Sequence, residues 1–277
     1  MQLGIVNELE ILRFTSVGAY LGDATGEEVL LPNKYLSPSL KEGDLIHVFL
    51  YKDSEDRPVA TTETPLIKLD EFTYLKVKDV GPFGAFLDWG LEKDLLVPFR
   101  EQQAKMEIDG VHLVTLRYDD ATDRLYASSR VNRFLESCND PSYLDKEVEL
   151  LICETTDLGL KVIVDGRYKG IIYRNDVNRP LRKGQKVTGY VFNIRGDGKL
   201  DVRLVRTDIA RFDESAESIL EAIKKEKKIN VTDKTDPDVI RERFQMSKKM
   251  FKQAIGKLYK ERLIRINEDS IELVDEA

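Results

Sequence analysis

Hydrophobic and polar positions alternate in short runs along most of the chain. Alternation with period two is typical of β-strands that bury one face. The clearest runs, several of which follow a glycine, are residues 45–50, 74–80, 111–116, 148–152 and 187–192. Residues 119–123 and 195–198 have the composition of hairpin loops. Five strands in roughly 60–70 residues suit a small closed barrel, so the pattern predicts β-barrels.

The same layout occurs three times. Each unit has a glycine followed by an apolar run, then a proline or tyrosine, a second glycine and a basic residue. The four positions are Gly18, Pro32, Gly43 and Arg57 in the first unit, Gly84, Pro98, Gly110 and Arg124 in the second, and Gly159, Tyr173, Gly184 and Lys199 in the third. The spacing from the first glycine to the proline or tyrosine is 14 positions in every unit. Three units in register indicate an internal repeat of one fold.

The period changes to that of helices after residue 213. A first helix is predicted over residues 215–228, with its apolar residues on one face. Asp236 followed by Pro237 indicates the start of a second helix, and Ser247 the start of a third that runs to about Arg262. Residues 263–266 and 270–274 alternate and predict a hairpin. Three helices followed by a hairpin is the order of a winged helix.

The predicted fold class is therefore mainly β, with three tandem five-stranded barrels followed by an α+β winged-helix domain. The predicted domains are residues 1–62, 63–133, 141–206 and 213–277.

The second unit carries a specific likeness. Its run Phe83-Gly84-Ala85-Phe86-Leu87 resembles the second strand of the S1 RNA-binding domain, which is an OB-type barrel. Residues 95–98, 123–124, 170–173 and 197–200 fit later strands of that pattern, and the first unit is the most divergent. The family has a histidine on its third strand, where this chain has Pro32, Pro98 and Tyr173.

Three such units and a C-terminal winged helix resemble the conserved virulence factor B family of bacteria. The resemblance implies an RNA-binding regulator of virulence-factor expression.

The formal net charge of −7 is distributed unevenly. Residues 1–62 carry −5 and residues 63–133 carry −3, whereas residues 134–212 carry +2 and residues 213–277 carry −1. A polyphosphate partner is expected to bind mainly to the C-terminal half. A charge imbalance without function is the alternative.

Single-strand binding requires rings for bases to stack on and cations along the backbone. Phe83 and Phe86 are the candidate rings of the second unit. Strict alternation would place them on opposite faces, unless a turn or bulge at Gly84 brings both outside, as the S1 resemblance implies. The alternative is that one or both fill the core.

The remaining candidate RNA contacts of the barrels are basic residues and one tyrosine. They are Arg124, Lys161, Arg167, Lys169, Tyr173, Arg174, Lys199 and Arg203. Such a set favours phosphate contacts beside one stacking site, and a solvated charged face is the alternative.

The third predicted helix is strongly basic, with six Lys/Arg and one Asp/Glu over residues 247–262. Its candidate contacts are Lys248, Lys249, Lys252, Lys257 and Lys260. A recognition helix offers such cations to a groove of nucleic acid. Lysines that only keep a surface helix soluble are the alternative.

No motif for chemistry is evident. His47 and His112 are isolated, no metal-ligand spacing occurs, and phosphate-binding glycine loops are missing. We therefore expect no catalytic residues, no metal and no cofactor. There is no apolar run of about 18 residues, so we expect no membrane partner. The sparse cysteines, Cys138 and Cys153, are expected to be reduced thiols of a cytoplasmic protein.

The sequence thus predicts a non-enzymatic protein that binds single-stranded RNA and acts as a post-transcriptional regulator. Two alternatives stay open. One is a DNA-binding transcription regulator led by the winged helix, and the other is a protein-interaction adaptor.

Overall fold

The computed structural model describes residues 1–177, 179–205 and 208–274, and the side chains of residues 208–214 are not described. Residues 275–277 of the predicted winged-helix domain, and residues 206 and 207 between the predicted third and fourth domains, lie outside the described residues. Most elements are strands, as expected. The predicted order of three five-stranded units and a helical C-terminal unit is confirmed.

The first unit is a closed barrel with strand order β1-β2-β3-β5-β4. The parallel pairing of Leu30 on β3 with Val59 on β5 completes the closure. Its strands are β1 (Val6–Phe14), β2 (Gly18–Gly22), β3 (Glu28–Pro32), β4 (Leu45–Lys52) and β5 (Pro58–Thr61).

The second unit has the same strands but is not closed by hydrogen bonds, which differs from the prediction of a closed barrel. Its order is β10-β9-β6-β7-β8, and β8 and β10 lie side by side without a ladder between them. The start of β10 is tied to the first barrel instead, because Lys52 pairs with Asp123 and Arg124 pairs with Asp56. The strands are β6 (Phe72–Gly81), β7 (Gly84–Asp88), β8 (Leu95–Pro98), β9 (Val111–Asp119) and β10 (Arg124–Ser128).

The third unit is again a closed barrel, with order β11-β12-β13-β15-β14. Gly170 and Ile171 of β13 pair in parallel with Leu200 and Asp201 of β15. The strands are β11 (Glu147–Thr155), β12 (Gly159–Val164), β13 (Tyr168–Tyr173), β14 (Lys186–Ile194) and β15 (Leu200–Arg203).

The first glycine of each repeat has a steric reason. Gly84 has φ +154°, and a Cβ atom there would lie 2.0 Å from the carbonyl oxygen of Val97. Gly18 and Gly159 have the same conformation and the same close approach to the neighbouring strand. Only glycine fits at such a place, so the repeat spacing reports where the second strand of each unit crosses close to the third.

One buried cluster spans the first and second barrels, beside the first barrel's own core. Phe49 and Tyr51 of β4 pack edge-on against Trp89, with ring centroids 5.8 and 6.2 Å apart. Val59 of β5 joins the same buried cluster. The outer side of β4 and β5 in the first barrel is therefore covered by the second barrel.

The second and third barrels meet through a smaller apolar cluster. Its buried members are Phe72, Val131, Leu151, Cys153 and Ile163. Cys138 and Cys153 are both buried and free of disulfides. This contact fixes the orientation of the third barrel next to the second.

The C-terminal unit matches the predicted winged-helix order. The caps at Asp236 and Ser247 are confirmed, since their side chains accept from the N–H groups of Asp238 and Met250. The elements are α1 (Asp208–Glu226), β16 (Lys228–Ile229), α2 (Pro237–Phe244), α3 (Lys248–Lys260), β17 (Ile264–Ile266) and β18 (Ile271–Leu273). The first helix begins at Asp208 rather than at Ser215, so more than a turn of it precedes the apolar stripe that predicted it. None of the helices in the described part of the chain combines the length and the apolar character that crossing a bilayer requires.

Candidate nucleic-acid interface

Exposed rings lie on the outer side of the second barrel. Phe83 is 72% exposed and Phe99 is 53% exposed. The N–H of Phe99 donates to the carbonyl oxygen of Phe83 at 3.3 Å, which fixes the two residues side by side. Sequence reasoning did not select Phe99, because it follows the third strand of the motif and belongs to a single 3₁₀ turn.

The position of Phe86 follows from the pleat of β7. Ala85 and Leu87 point into the core with no exposed surface, so Phe86 between them points outward. Its ring lies over Gly81 and is half-buried there. Both candidate rings of the second barrel thus reach its outside, and the alternative that one or both fill the core is wrong.

A cluster of aromatic and guanidinium groups forms the corresponding face of the third barrel. Tyr173 ends β13, and its ring centroid lies 6.4 Å from that of Phe192. The guanidinium of Arg203 lies 4.0 Å from the centroid of Phe192, and that of Arg195 lies 5.8 Å from the centroid of Tyr173. We call these four residues the Tyr173 face.

A buried carboxylate holds this face together. Asp201 is 4% exposed and accepts from Tyr173 Oη at 3.2 Å and from Asn193 Nδ2 at 2.8 Å. Arg195 Nε forms an ion pair with the same carboxylate at 2.8 Å and donates a hydrogen bond to the Tyr173 hydroxyl. That hydrogen bond raises the pKa of Arg195 above its already high value, so the guanidinium is charged at every physiological pH. Asp201 is a positioning residue that presents a ring and a cation together.

The face contains two residues that sequence reasoning missed. Phe192 lies where β14 departs from regular pairing, between Val191 and Asn193, so the alternation of the strand does not predict its side. Arg195 comes from the loop after β14, where a basic residue gives no signal of its own. Asp201 alternates with Leu200 and Val202, which indicates an outward side chain but not its burial.

Four of the predicted cations of the third barrel have carboxylate partners. Their nitrogen–oxygen distances are 2.8 Å for Lys161 with Glu154, 2.8 Å for Arg167 with Glu136, 2.6 Å for Lys199 with Asp197 and 3.3 Å for Arg203 with Asp176. The pKa values of Glu154, Glu136 and Asp197 lie below their ordinary values, because each accepts from its basic partner. These pairs are at or near the surface, where ion pairs are weak enough for a phosphate to compete.

The other predicted barrel cations differ in their surroundings. Lys169 forms no ion pair within the described ranges, and the exposed Arg174 has only a 3.5 Å hydrogen bond to the carbonyl oxygen of Thr156. Arg124 of the second barrel pairs with Asp56 of the first, and this hydrogen bond lowers the pKa of the Asp56 carboxyl. The structure thus places Arg174 and Arg203 near Tyr173, Arg167 at the opposite end of β13, and Arg124 at the junction of the first two barrels.

The lysines of α3 are distributed around its outer side. Lys248 donates to the carbonyl oxygen of Thr235 at 2.9 Å. Lys252 lies 3.8 Å from Asp233, and Lys257 lies 3.8 Å from Glu261. Lys249 and Lys260 are exposed, and neither forms an ion pair with any residue that the structure describes.

Three of these lysines form a stripe along α3. Lys249, Lys252 and Lys260 fall on one side of the helix together with Gly256, opposite the buried residues of the helix. A Cβ atom on Gly256 would meet nothing within 4 Å. The stripe is therefore an open cationic surface, and at Gly256 no side chain covers the helix backbone.

Comparison with known proteins agrees with this architecture. The family model for the S1 domain matches residues 3–63, and the model for the CvfB-like winged helix domain matches residues 217–273. The S1 match falls on the first barrel, which the motif comparison ranked as the most divergent. The matched families are an S1 nucleic-acid-binding domain and a winged-helix domain, and neither is a family of enzymes.

Relatives match over nearly the whole chain. The Bacillus subtilis protein YitL is 31% identical over 261 residues, which cover 91% of this chain and 87% of that protein. Conserved virulence factor B of Staphylococcus aureus is 26% identical over 281 aligned positions, covering 98% of this chain and 94% of that protein. A Streptococcus pneumoniae crystal structure of a multidomain protein with nucleic acid binding domains aligns over 98% of both chains at 21% identity, with a TM-score of 0.41.

Proposed function

This chain belongs to the family that includes YitL and conserved virulence factor B, and from that membership we propose that it binds single-stranded RNA through the outer faces of its barrels. The observation that carries the proposal is the Tyr173 face. Two rings and two guanidinium groups lie together there at the surface of the third barrel. Bases stack on rings whatever their identity, and each stacked base contributes about 1–3 kcal/mol.

The second barrel supplies further stacking positions in this proposal. Phe83 and Phe99 expose most of their rings, and Phe86 lies beside them on β7. The first barrel contributes little, because its β4–β5 side is buried against Trp89 and its sequence is acidic. The RNA path therefore runs over the second and third barrels.

The winged helix adds electrostatic contacts through Lys249, Lys252 and Lys260. Several weak sites on one chain increase the affinity by raising the effective concentration of each site for the bound strand. We propose that the protein acts as a non-enzymatic post-transcriptional regulator, and the name of its Staphylococcus relatives supports virulence-factor genes as targets.

A second candidate function is binding of duplex DNA led by α3. The open lysine stripe beside Gly256 favours it, because a helix without side-chain bulk can approach a phosphate backbone closely. On this alternative the barrels would be passive.

A titration separates the two functions. The full chain is titrated with single-stranded RNA, single-stranded DNA and duplex DNA, each at two salt concentrations. We expect the single-stranded RNA to bind tightest and Tyr173→Ala to weaken it. If duplex DNA binds tighter and depends on Lys249, Lys252 and Lys260 but not on Tyr173, the second function replaces the first. If no nucleic acid binds, the protein-adaptor alternative remains.

A further inference from the structure

A groove of about 820 Å³ runs between the second and third barrels. Tyr74, Val111, Leu113 and Val131 of the second barrel line one wall. Lysines and one arginine line the other wall from the third barrel, namely Lys161, Lys169, Lys183, Arg195 and Lys199. The second barrel also contributes the polar residues Gln103, His112, Ser129 and Asn132, so its wall is mixed, and we call its exposed apolar strip, Val111 and Leu113, the apolar wall. Every lysine and arginine of the groove comes from the third barrel.

Charge in the groove is unbalanced. Five basic residues face it against two acidic ones, Glu154 and Asp157. Arg195 and Lys199 pair with Asp201 and Asp197 just outside the lining, so the unpaired positive charge comes from Lys169 and Lys183. Lys169 and Lys183 have no ion pair within 4.0 Å among the residues that the structure describes. The hydrogen bond from Lys161 is the main cause of the lowered pKa of Glu154, and Lys183 adds only a weaker attraction from a greater distance. An anionic ligand would supply the missing partners.

The apolar wall is also unusual for a surface. Val111 is 59% exposed although it lies on a strand, and Leu113 is half-buried beside it. A ligand with a flat apolar part and an anionic part matches the two walls at once. A nucleotide has both parts, in its base and its phosphate.

The groove is continuous with the Tyr173 face. On β13 the side chains of Lys169, Ile171 and Tyr173 alternate onto the same outer side of the sheet. Arg195 lines the groove and also donates to the Tyr173 hydroxyl. A single RNA strand that leaves the Tyr173 face and follows β13 reaches the groove without crossing another element of the protein.

The walls are held at a fixed separation. The Tyr74 hydroxyl donates to the carbonyl oxygen of Cys153 at 2.5 Å, which links the second barrel to β11 of the third. Gly184 lies against the ring of Tyr74, where an added Cβ would be 3.1 Å from a ring carbon. The groove is therefore a preformed site, which reduces the entropy lost on binding.

We propose that this groove binds the nucleotides of a single RNA strand that follow those stacked on the Tyr173 face. The base lies against Val111 and Leu113, and the phosphates contact Lys169 and Lys183. The proposal rests on the proposed function, since it extends the same RNA path. It assigns the junction of the two barrels, rather than either barrel alone, as part of the binding site.

Oligonucleotide length gives the test. Fluorescein-labelled oligouridylates of about 4 and about 12 nucleotides are titrated against the full chain, since one OB-type barrel occupies about 4–16 nucleotides. The groove variant combines Lys169→Glu with Lys183→Glu. Its matched control combines Lys41→Glu with Lys68→Glu, which makes the same charge change near the first barrel.

We expect the groove variant to lower the affinity for the longer RNA about tenfold or more relative to the control. Its affinity for the shorter RNA should fall by less than about twofold. Loss of two phosphate contacts also lowers the salt dependence of binding, the slope of log K against log salt, by about 1.4 for a single strand. The milder variant combines Lys169→Gln with Lys183→Gln and should also lower the affinity for the longer RNA. It replaces the glutamate variant if that variant does not fold.

Equal losses for both lengths, or a loss no greater than that of the control, overturn the groove proposal. Val111→Glu provides an independent reading, since it places a negative charge on the apolar wall, and Val6→Glu on the first barrel is its control. The combined variant Tyr173→Ala with Phe192→Ala tests the proposed function separately. If that pair leaves both lengths unaffected, the proposed function fails, whatever the groove variants do.

Discussion

The hydroxyl of Tyr74 donates a 2.5 Å hydrogen bond to the carbonyl oxygen of Cys153 across the junction of the second and third barrels. Burial raises the pKa of Tyr74 to about 12 and that of the Cys153 thiol to about 11. The hydroxyl that links the two barrels and the thiol buried in the apolar cluster between them are therefore both neutral at physiological pH.

This geometry predicts a loss of stability at alkaline pH. Folded-state pKa values above the unfolded ones mean that the folded chain retains protons that the unfolded chain releases. The contribution of these groups is fully present below about pH 9 and declines as the pH rises toward 12. Thermal unfolding followed between pH 8 and pH 11 should show the decline. Tyr74→Phe should make it shallower, and an unchanged slope in that variant would refute the assignment.

Removing a ring from the Tyr173 face should weaken RNA binding without unfolding the chain. Phe192→Ala or Tyr173→Ala is expected to lower the affinity by a factor of about 5 to 150, which corresponds to about 1–3 kcal/mol for one stacked base. Fluorescence anisotropy with labelled single-stranded RNA measures this loss of affinity. Phe14→Ala is the matched control, because Phe14 exposes 42% of its surface on the first barrel.

The second barrel makes a parallel prediction. Phe83 is 72% exposed, so Phe83→Ala should leave the melting temperature nearly unchanged. The affinity for single-stranded RNA should fall, because a ring this exposed adds little to the core and is available to stack on a base. An unaltered affinity would remove the second barrel from the RNA path and leave the third barrel as the site.

Gly84→Ala should be strongly destabilising. The new Cβ would lie 2.0 Å from the carbonyl oxygen of Val97, and the residue would keep a φ of +154°. Backbone strain of this kind costs about 1–3 kcal/mol, and the clash adds to it. Gly196→Ala is the control, since its Cβ meets nothing within 4 Å. Denaturant unfolding should separate the two variants clearly, and equal midpoints would contradict the steric argument.

Gly256→Ala on α3 should act in the opposite direction. Alanine stabilises a helix interior by about 0.5–1 kcal/mol over glycine, and no neighbour obstructs the new methyl group. The melting temperature should rise. If the affinity for duplex DNA falls at the same time while that for RNA is kept, close approach of a DNA backbone to α3 is supported.

The repeat of strands was predictable because its signals are local. Alternation sets the faces of each strand, and Gly84 is required by a contact between neighbouring strands. The helix caps at Asp236 and Ser247 are equally local. Candidate rings such as Phe83 were identified from their motif for the same reason.

The remainder depends on contacts between distant segments. The side of Phe192 follows from irregular pairing in β14, and Arg195 gains its role only from the buried Asp201. Arg124 looks like its counterpart Lys199 in sequence, yet an aspartate of another barrel pairs with it. The run around Phe49 has apolar residues on both faces, which indicates double burial but not the identity of the partner.

The packing of Phe49 and Tyr51 on Trp89 has a consequence for dividing the protein into fragments. Because the three rings belong to one buried cluster, a cut between the first two repeats would leave an aromatic surface bare on both fragments. Exposed apolar surface of this kind promotes aggregation, so the first two repeats are expected to remain monomeric only as a joined pair.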